Sequence, residues 1–163
     1  DEDQVAALAA TLPARLNEAQ ALLDGASDRR EHASGSEFLG FTTCGPCHGM
    51  QSEAWLISPH PGAFQSLQRL GFHVEPECFD CHTTGFGWSG GFETRARTPL
   101  LAGVSCEACH GPGEMAIHDL PGYGATTEAT CRGCHTEDVD PGFDYATAYE
   151  TVRHHWPRGP VLP

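Results

Sequence analysis

The chain has 163 residues, the length of one ordinary domain. Only 39% are apolar and 9% aromatic, against 19 glycines and 12 prolines, so this loop-rich chain buries too little apolar surface to offset its backbone entropy unaided. A formal net charge of −13 without large basic patches argues against nucleic-acid binding, and no stretch has the apolar length to span a bilayer.

Taken in order, residues 1–24 predict a helical arm. Val5, Leu8, Leu12, Leu16, Ala19 and Leu23 recur at three- and four-residue steps and form one apolar face, with Pro13 as a kink and Gly25 as a stop. The arm reads as a packing helix, an oligomerisation contact or a linker from another domain. It opens Asp1-Glu2-Asp3, without a basic-then-apolar leader. A polar stretch, 27–36, carries a solvated His32. The expected division is an arm and linker at 1–36 and a second unit at 37–163.

Phe38 to Phe41 lead into Cys44-Gly-Pro-Cys47-His48. Met50 to Ile57 predict a helix that stops at Ser58-Pro59, because the residue before a proline resists helical geometry. His60 lies just beyond, between Pro59 and Pro61. Ala63 to Leu70 predict a further helix closed by Gly71, with His73 five residues before Cys78-Phe-Asp-Cys81-His82. A glycine-rich run, Thr83 to Phe92, follows. The third cysteine pair, Cys106-Glu-Ala-Cys109-His110, runs into the turn Gly111-Pro112-Gly113, and His118 comes eight residues after His110. After Cys131-Arg-Gly-Cys134-His135, Phe143 to Trp156 predict a helix with Phe143, Ala146, Tyr149 and Val152 on one side, delivering His154 and His155.

The four cysteine pairs share one pattern, C-x-x-C-H, the attachment motif of a c-type haem. Two sulfurs one tight turn apart reach the two vinyl groups of one porphyrin, and the adjacent His lies beneath the iron. Chance would supply on the order of a few hundredths of a match in such a chain, so four matches are not accidental. All eight cysteines are consumed. A tetrathiolate zinc site or a disulfide framework would also use them, but neither needs a His after every second Cys. The expectation is therefore four c-type haems attached through Cys44, Cys47, Cys78, Cys81, Cys106, Cys109, Cys131 and Cys134, with His48, His82, His110 and His135 as proximal ligands. The fold class is mainly α with much irregular loop, and the haems form the core. In the glycine-rich run, backbone passes close to a porphyrin while Phe86, Trp88 and Phe92 stack on its edges, or the run is an ordinary loop with a short hairpin.

Four irons need sixth ligands, and the non-motif histidines number six. His60, His73, His118 and His154 are the distal candidates, with His155 as the substitute for His154; Met50 and Met115 are the thioether alternatives. Covalent attachment by this motif takes place outside the cytoplasm, so the expected location is periplasmic or extracellular, with an export signal already removed. The acidity, to which each haem adds two propionates against one iron charge, serves solubility or steers the chain towards basic docking surfaces on redox partners.

These residues resemble the tetrahaem cytochrome c-554 family. The likeness runs from Cys44 through Trp55, Ser58 and His60, and from Cys78 through Gly85-Phe86-Gly87 and Gly90-Gly91-Phe92. Gly103 to Gly113 is the nearest stretch, and Phe143-Asp144 with Val152 to His155 resembles the C-terminal ligand segment. The resemblance spans about residues 38–156 and leaves the arm outside. It implies a small, mainly helical periplasmic electron carrier whose haems stack in near-parallel and near-perpendicular pairs, most irons bearing two histidines. The type member accepts electrons from hydroxylamine oxidation, and its second haem lacks a distal ligand. His73, just upstream of the second motif here, departs from that pattern and is expected to close that site.

The function expected is electron transfer through closely packed bis-His haems, without catalysis. The alternatives are a small-molecule redox enzyme of nitrogen oxide or hydroxylamine type using one five-coordinate haem, or a subunit of a conductive filament or larger redox complex.

Overall fold

Glycine and proline cut the chain into short helices, so contacts between segments, and not long helical ladders, hold it together. The computed structural model describes residues 2–7, 9–12, 29–31, 37–113 and 124–154. Among these residues the architecture is helical with irregular loops, and its one β feature is an isolated parallel bridge between Arg30 and Trp88. Residues 2–7 and 9–12 are helical, as the periodicity predicts, with Val5 and Leu12 exposed. The rest of the predicted arm, with Pro13 and Gly25, lies outside the described residues.

Seven short helices follow: α1 (Phe41–Cys44), α2 (Gly49–Leu56), α3 (Ala63–Leu70), α4 (Phe79–His82), α5 (Cys106–His110), α6 (Glu128–Arg132) and α7 (Tyr145–Val152). Helix α2 stops three residues before Pro59, and a single 3₁₀ turn over His60–Gly62 leads into α3. Helix α3 ends at Gly71 in the left-handed conformation (φ 83°), the backbone state that spares glycine the Cβ clash. Its two inward residues, Phe64 and Leu67, are three apart and lie on one face.

Those two side chains meet Phe79, Phe92 and Leu101 in a core of five buried apolar residues. The rings of Phe64, Phe79 and Phe92 stand 5.5–6.0 Å apart in tilted or edge-on contacts. Phe92 is fully buried here, which corrects the expectation that it stacks on a porphyrin edge. Phe86 packs edge-on against Phe79 at 5.2 Å. The glycine-rich run is a folded-back loop, not a hairpin. Gly91 passes so close to the Gly85 carbonyl that a Cβ would overlap it.

Thr84, fully buried, ties this loop to the third motif. Its amide donates to the Leu101 carbonyl (2.9 Å), its hydroxyl donates to the Gly103 carbonyl (2.7 Å), and it accepts from the Ser105 amide (2.9 Å). Residues 29–31 dock on the same loop. Arg30 and Trp88 flank the bridge, with the Arg30 amide on the Gly87 carbonyl (2.9 Å), its guanidinium 4.5 Å above the Trp88 ring, and Arg29 paired with Glu93.

The C-terminal block differs. No residue between 124 and 154 is buried. Helix α6 is held by a capping box between Thr127 and Thr130, and α7 by the Asp144 carboxylate accepting from the Thr147 amide (2.9 Å). Helix α7 begins at Tyr145, so Phe143 sits in the loop before the predicted helix and not on its face.

Candidate haem centres

Each C-x-x-C-H run occupies about one helical turn. In the first, the amides of Cys47 and His48 both bond the Cys44 carbonyl (3.2 and 2.9 Å); in the fourth, those of Cys134 and His135 bond the Cys131 carbonyl (3.2 and 3.0 Å). The second and third are helices α4 and α5. A turn of this kind sets two thiols side by side and projects the next imidazole from its end.

Long-range contacts bring the motifs together in an order unlike their order in the chain. The Cys44 and Cys106 thiols lie side by side: the hydrogen bond between them, and then burial, push Cys44 far up, while the same bond, against burial, draws Cys106 down to about 7. Burial and then the charge of nearby Cys131 raise the Cys109 thiol, while burial and then Glu128 raise that of Cys131. Burial and the adjacent Cys81 push Cys134 up to about 12. The first motif therefore lies beside the third, the third near the fourth, and the fourth beside the second. Among the described residues no three His, Cys, Asp or Glu side chains converge as a metal-ion site, and none of the eight thiols is in a disulfide.

Three motif imidazoles are held through Nδ1, which leaves Nε2 facing outward. His82 Nδ1 lies 2.9 Å from the Ala63 carbonyl and His110 Nδ1 2.5 Å from that of Gly124. His135 Nδ1 lies 2.8 Å from the Asp140 carboxylate. An anchored Nδ1 fixes the tautomer that presents Nε2 as a ligand.

Two non-motif histidines stand opposite these rings. His60 faces His135 with centroids 6.3 Å apart, and His154 faces His110 at 5.8 Å. Two imidazoles on opposite sides of one metal, each bonded at about 2 Å, have centroids about 6 Å apart. Burial and then the nearness of His135 lower the pKa of His60; desolvation and then His110 lower that of His154. Both are therefore neutral donors near pH 7. His60 is set by the 3₁₀ turn, and its carbonyl takes the Val104 amide (3.1 Å). Gly103 makes that approach possible, since at φ 142° a Cβ would meet the Pro61 carbonyl. His73 is exposed. Met50 is exposed; His32, His118, His155 and Met115 lie outside the described residues.

A family model for "Cytochrome c554 and c-prime" matches residues 43–111. This stretch, less than half of the chain, is similar to the cytochrome c-554 family of multihaem cytochromes. Cytochrome c-554 of Nitrosomonas europaea is 32% identical over 96 residues, a match covering 50% of this chain and 41% of that protein. The chain thus matches about two fifths of that relative's length. No solved structure matches it.

The residues fit the cofactor that this similarity implies, covalently bound c-type haem. Unpaired thiols stand at attachment spacing, anchored imidazoles follow them, and the protein-made core is small. One further feature belongs to the segment. Glu107, inside the third motif, is 3% exposed and accepts the amides of Leu39 (2.9 Å), Gly40 (2.8 Å) and Gly113 (2.8 Å). It staples the entry of the first motif to the third. Sequence reasoning missed Glu107, Thr84 and Asp140. A carboxylate between two attachment cysteines was the signal for the first, and an Asp-Pro-Gly turn after His135 was the signal for the last.

Proposed function

We propose that this protein is an exported electron-transfer cytochrome carrying four c-type haems. His48, His82, His110 and His135 are the motif ligands, His60 completes the site of His135, and His154 completes that of His110. His73 and His118 are assigned to the remaining irons, and His155 substitutes for His154. The reading is carried by the nearness of the four motifs, Cys44 beside Cys106, Cys109 near Cys131 and Cys134 beside Cys81, which supports a continuous relay through all four.

Bound haem supplies a one-electron ferric–ferrous couple. The protein's part is to hold it. The attachment turns fix each group in the chain, and the Nδ1 anchors keep the imidazoles from rotating. Two imidazoles leave no position for substrate and give lower potentials than a His/Met pair. The net charge of −13 steers the chain towards partners with basic docking surfaces. Covalent attachment outside the cytoplasm argues for a periplasmic or extracellular location, and among the described residues no helix is long and apolar enough to cross a membrane.

A second reading has one specific observation behind it. Among the described residues no imidazole stands opposite His82, so the second motif is where an open iron and small-molecule chemistry would arise. The electron paramagnetic resonance spectrum of the oxidised protein separates the two. Low-spin ferric signals alone, from four haems per chain by mass, support the relay, and His73→Ala then generates a high-spin signal. A stoichiometric high-spin signal in the parent protein overturns the fully bis-His assignment and puts the enzyme first.

A further inference from the structure

Asp140 distinguishes one motif imidazole from its counterparts. His82 and His110 rest their Nδ1 atoms on neutral backbone carbonyls, whereas His135 rests its own on a carboxylate, 2.8 Å away. The arrangement is built by the loop that follows the motif. The Asp140 amide bonds the Thr136 carbonyl (2.8 Å), and the Asp140 carbonyl takes the Phe143 amide (3.0 Å) around Pro141-Gly142. One turn therefore puts the carboxylate on Nδ1, and the other lays the Phe143 ring on the imidazole face, 4.4 Å away and 16° from parallel. Arg132 lies over Phe143 at 5.5 Å, and its guanidinium is engaged by Glu128 at 2.7 Å. Across the ring stands His60, an uncharged imidazole in this setting.

The geometry points to Asp140 as a positioning residue that sets the reduction potential of the fourth haem, lowering it relative to the haems whose motif histidines bond backbone carbonyls. A carboxylate on Nδ1–H pulls that proton towards itself and makes Nε2 a stronger donor. A stronger donor and a nearby fixed negative charge both favour ferric over ferrous iron. The fourth motif lies between the third and the second in the order of neighbouring motifs, so this group forms an energetic step inside the relay and not at its end. The inference rests on the assignment of His135 as an iron ligand made above.

Spectroscopically monitored redox titration of the four-haem protein tests it, comparing the parent with Asp140→Asn and Asp140→Glu. Asn keeps an acceptor for Nδ1–H and removes the charge. In Asp140→Asn, one titration step moves to higher potential by about a tenfold change in the reduced-to-oxidised ratio at fixed ambient potential, or about 59 mV for one electron. The low-spin resonance of the same haem shifts, and Asp140→Glu restores the parent behaviour. Unchanged potentials in a fully loaded Asp140→Asn protein overturn the role of Asp140 and leave the ligand assignment standing. A parent protein whose fourth motif carries no haem by peptide mass overturns both.

Discussion

The block from Phe64 to Glu107 and the block from 124 to 154 are put together by different forces. The first holds all five core side chains and the buried polar residues Thr83, Thr84, Ser105 and Glu107. Its buried groups are all satisfied by protein, Glu107 by the amides of Leu39, Gly40 and Gly113 on either side of the block and Thr84 by backbone of the third motif's approach. The second has no buried residue, and its helices of five and eight residues rest on caps and local ion pairs such as Glu128–Arg132 and Glu150–Arg153. Helices that short are marginal on their own. The difference teaches where haem matters most. The first block has a protein core to fall back on, whereas the second, in the proposed reading, depends on the haems that His135 and His154 would hold.

The sharpest way to break this comparison is to remove one haem. Replacing Cys131 and Cys134 together by Ala eliminates the fourth attachment. Amide exchange across 124–154 then rises towards that of an unfolded chain, while the amides of α3 and α4 keep most of their protection. Equal loss in both blocks would mean that the haems, and not the phenylalanine core, hold the first block too.

A middle-sized effect tests the protein core directly. Phe92→Ala leaves a cavity among Phe64, Phe79 and Leu101, and costs about 3–5 kcal/mol in the denaturation midpoint of the haem-loaded protein. A cost below about 1 kcal/mol would show that haem contacts outweigh the core even where the core is best made.

The smallest effect concerns the cap of α7. Hydrogen bonds from the Thr147 hydroxyl and amide hold the Asp144 carboxyl below the usual carboxylate range. A depressed folded-state value stabilises the helix at pH above the ordinary carboxylate range, and this contribution is lost as pH falls through that range to the lowered value. Amide signals of 145–152 should therefore fray on acidification before the core block responds, and Asp144→Ala should remove that pH dependence. A fraying profile identical in Asp144→Ala would assign it to another group.

The helices over Gly49–Leu56 and Ala63–Leu70 were legible because their stops, Pro59 and Gly71, act on the residues next to them. The role of Phe92 was not legible. An aromatic in a glycine-rich run suits either a porphyrin edge or a core, and only the meeting of α3, α4 and the 85–92 loop decides between them. His60 was legible as a ligand candidate from its flanking prolines, but not its place opposite His135, 75 residues away in the chain.

The sequence by itself determined the covalent chemistry, because a C-x-x-C-H run is complete within five residues and one helical turn positions its thiols and imidazole whatever surrounds it. It also determined where short helices stop, through glycine and proline acting locally. The tertiary structure alone decided the order of the motifs, the pairing of His60 with His135 and of His154 with His110, and the burial of Glu107 between two of them. Those arrangements depend on loops closing over tens of residues. Their geometry is set by which surfaces pack, and no local spacing encodes that.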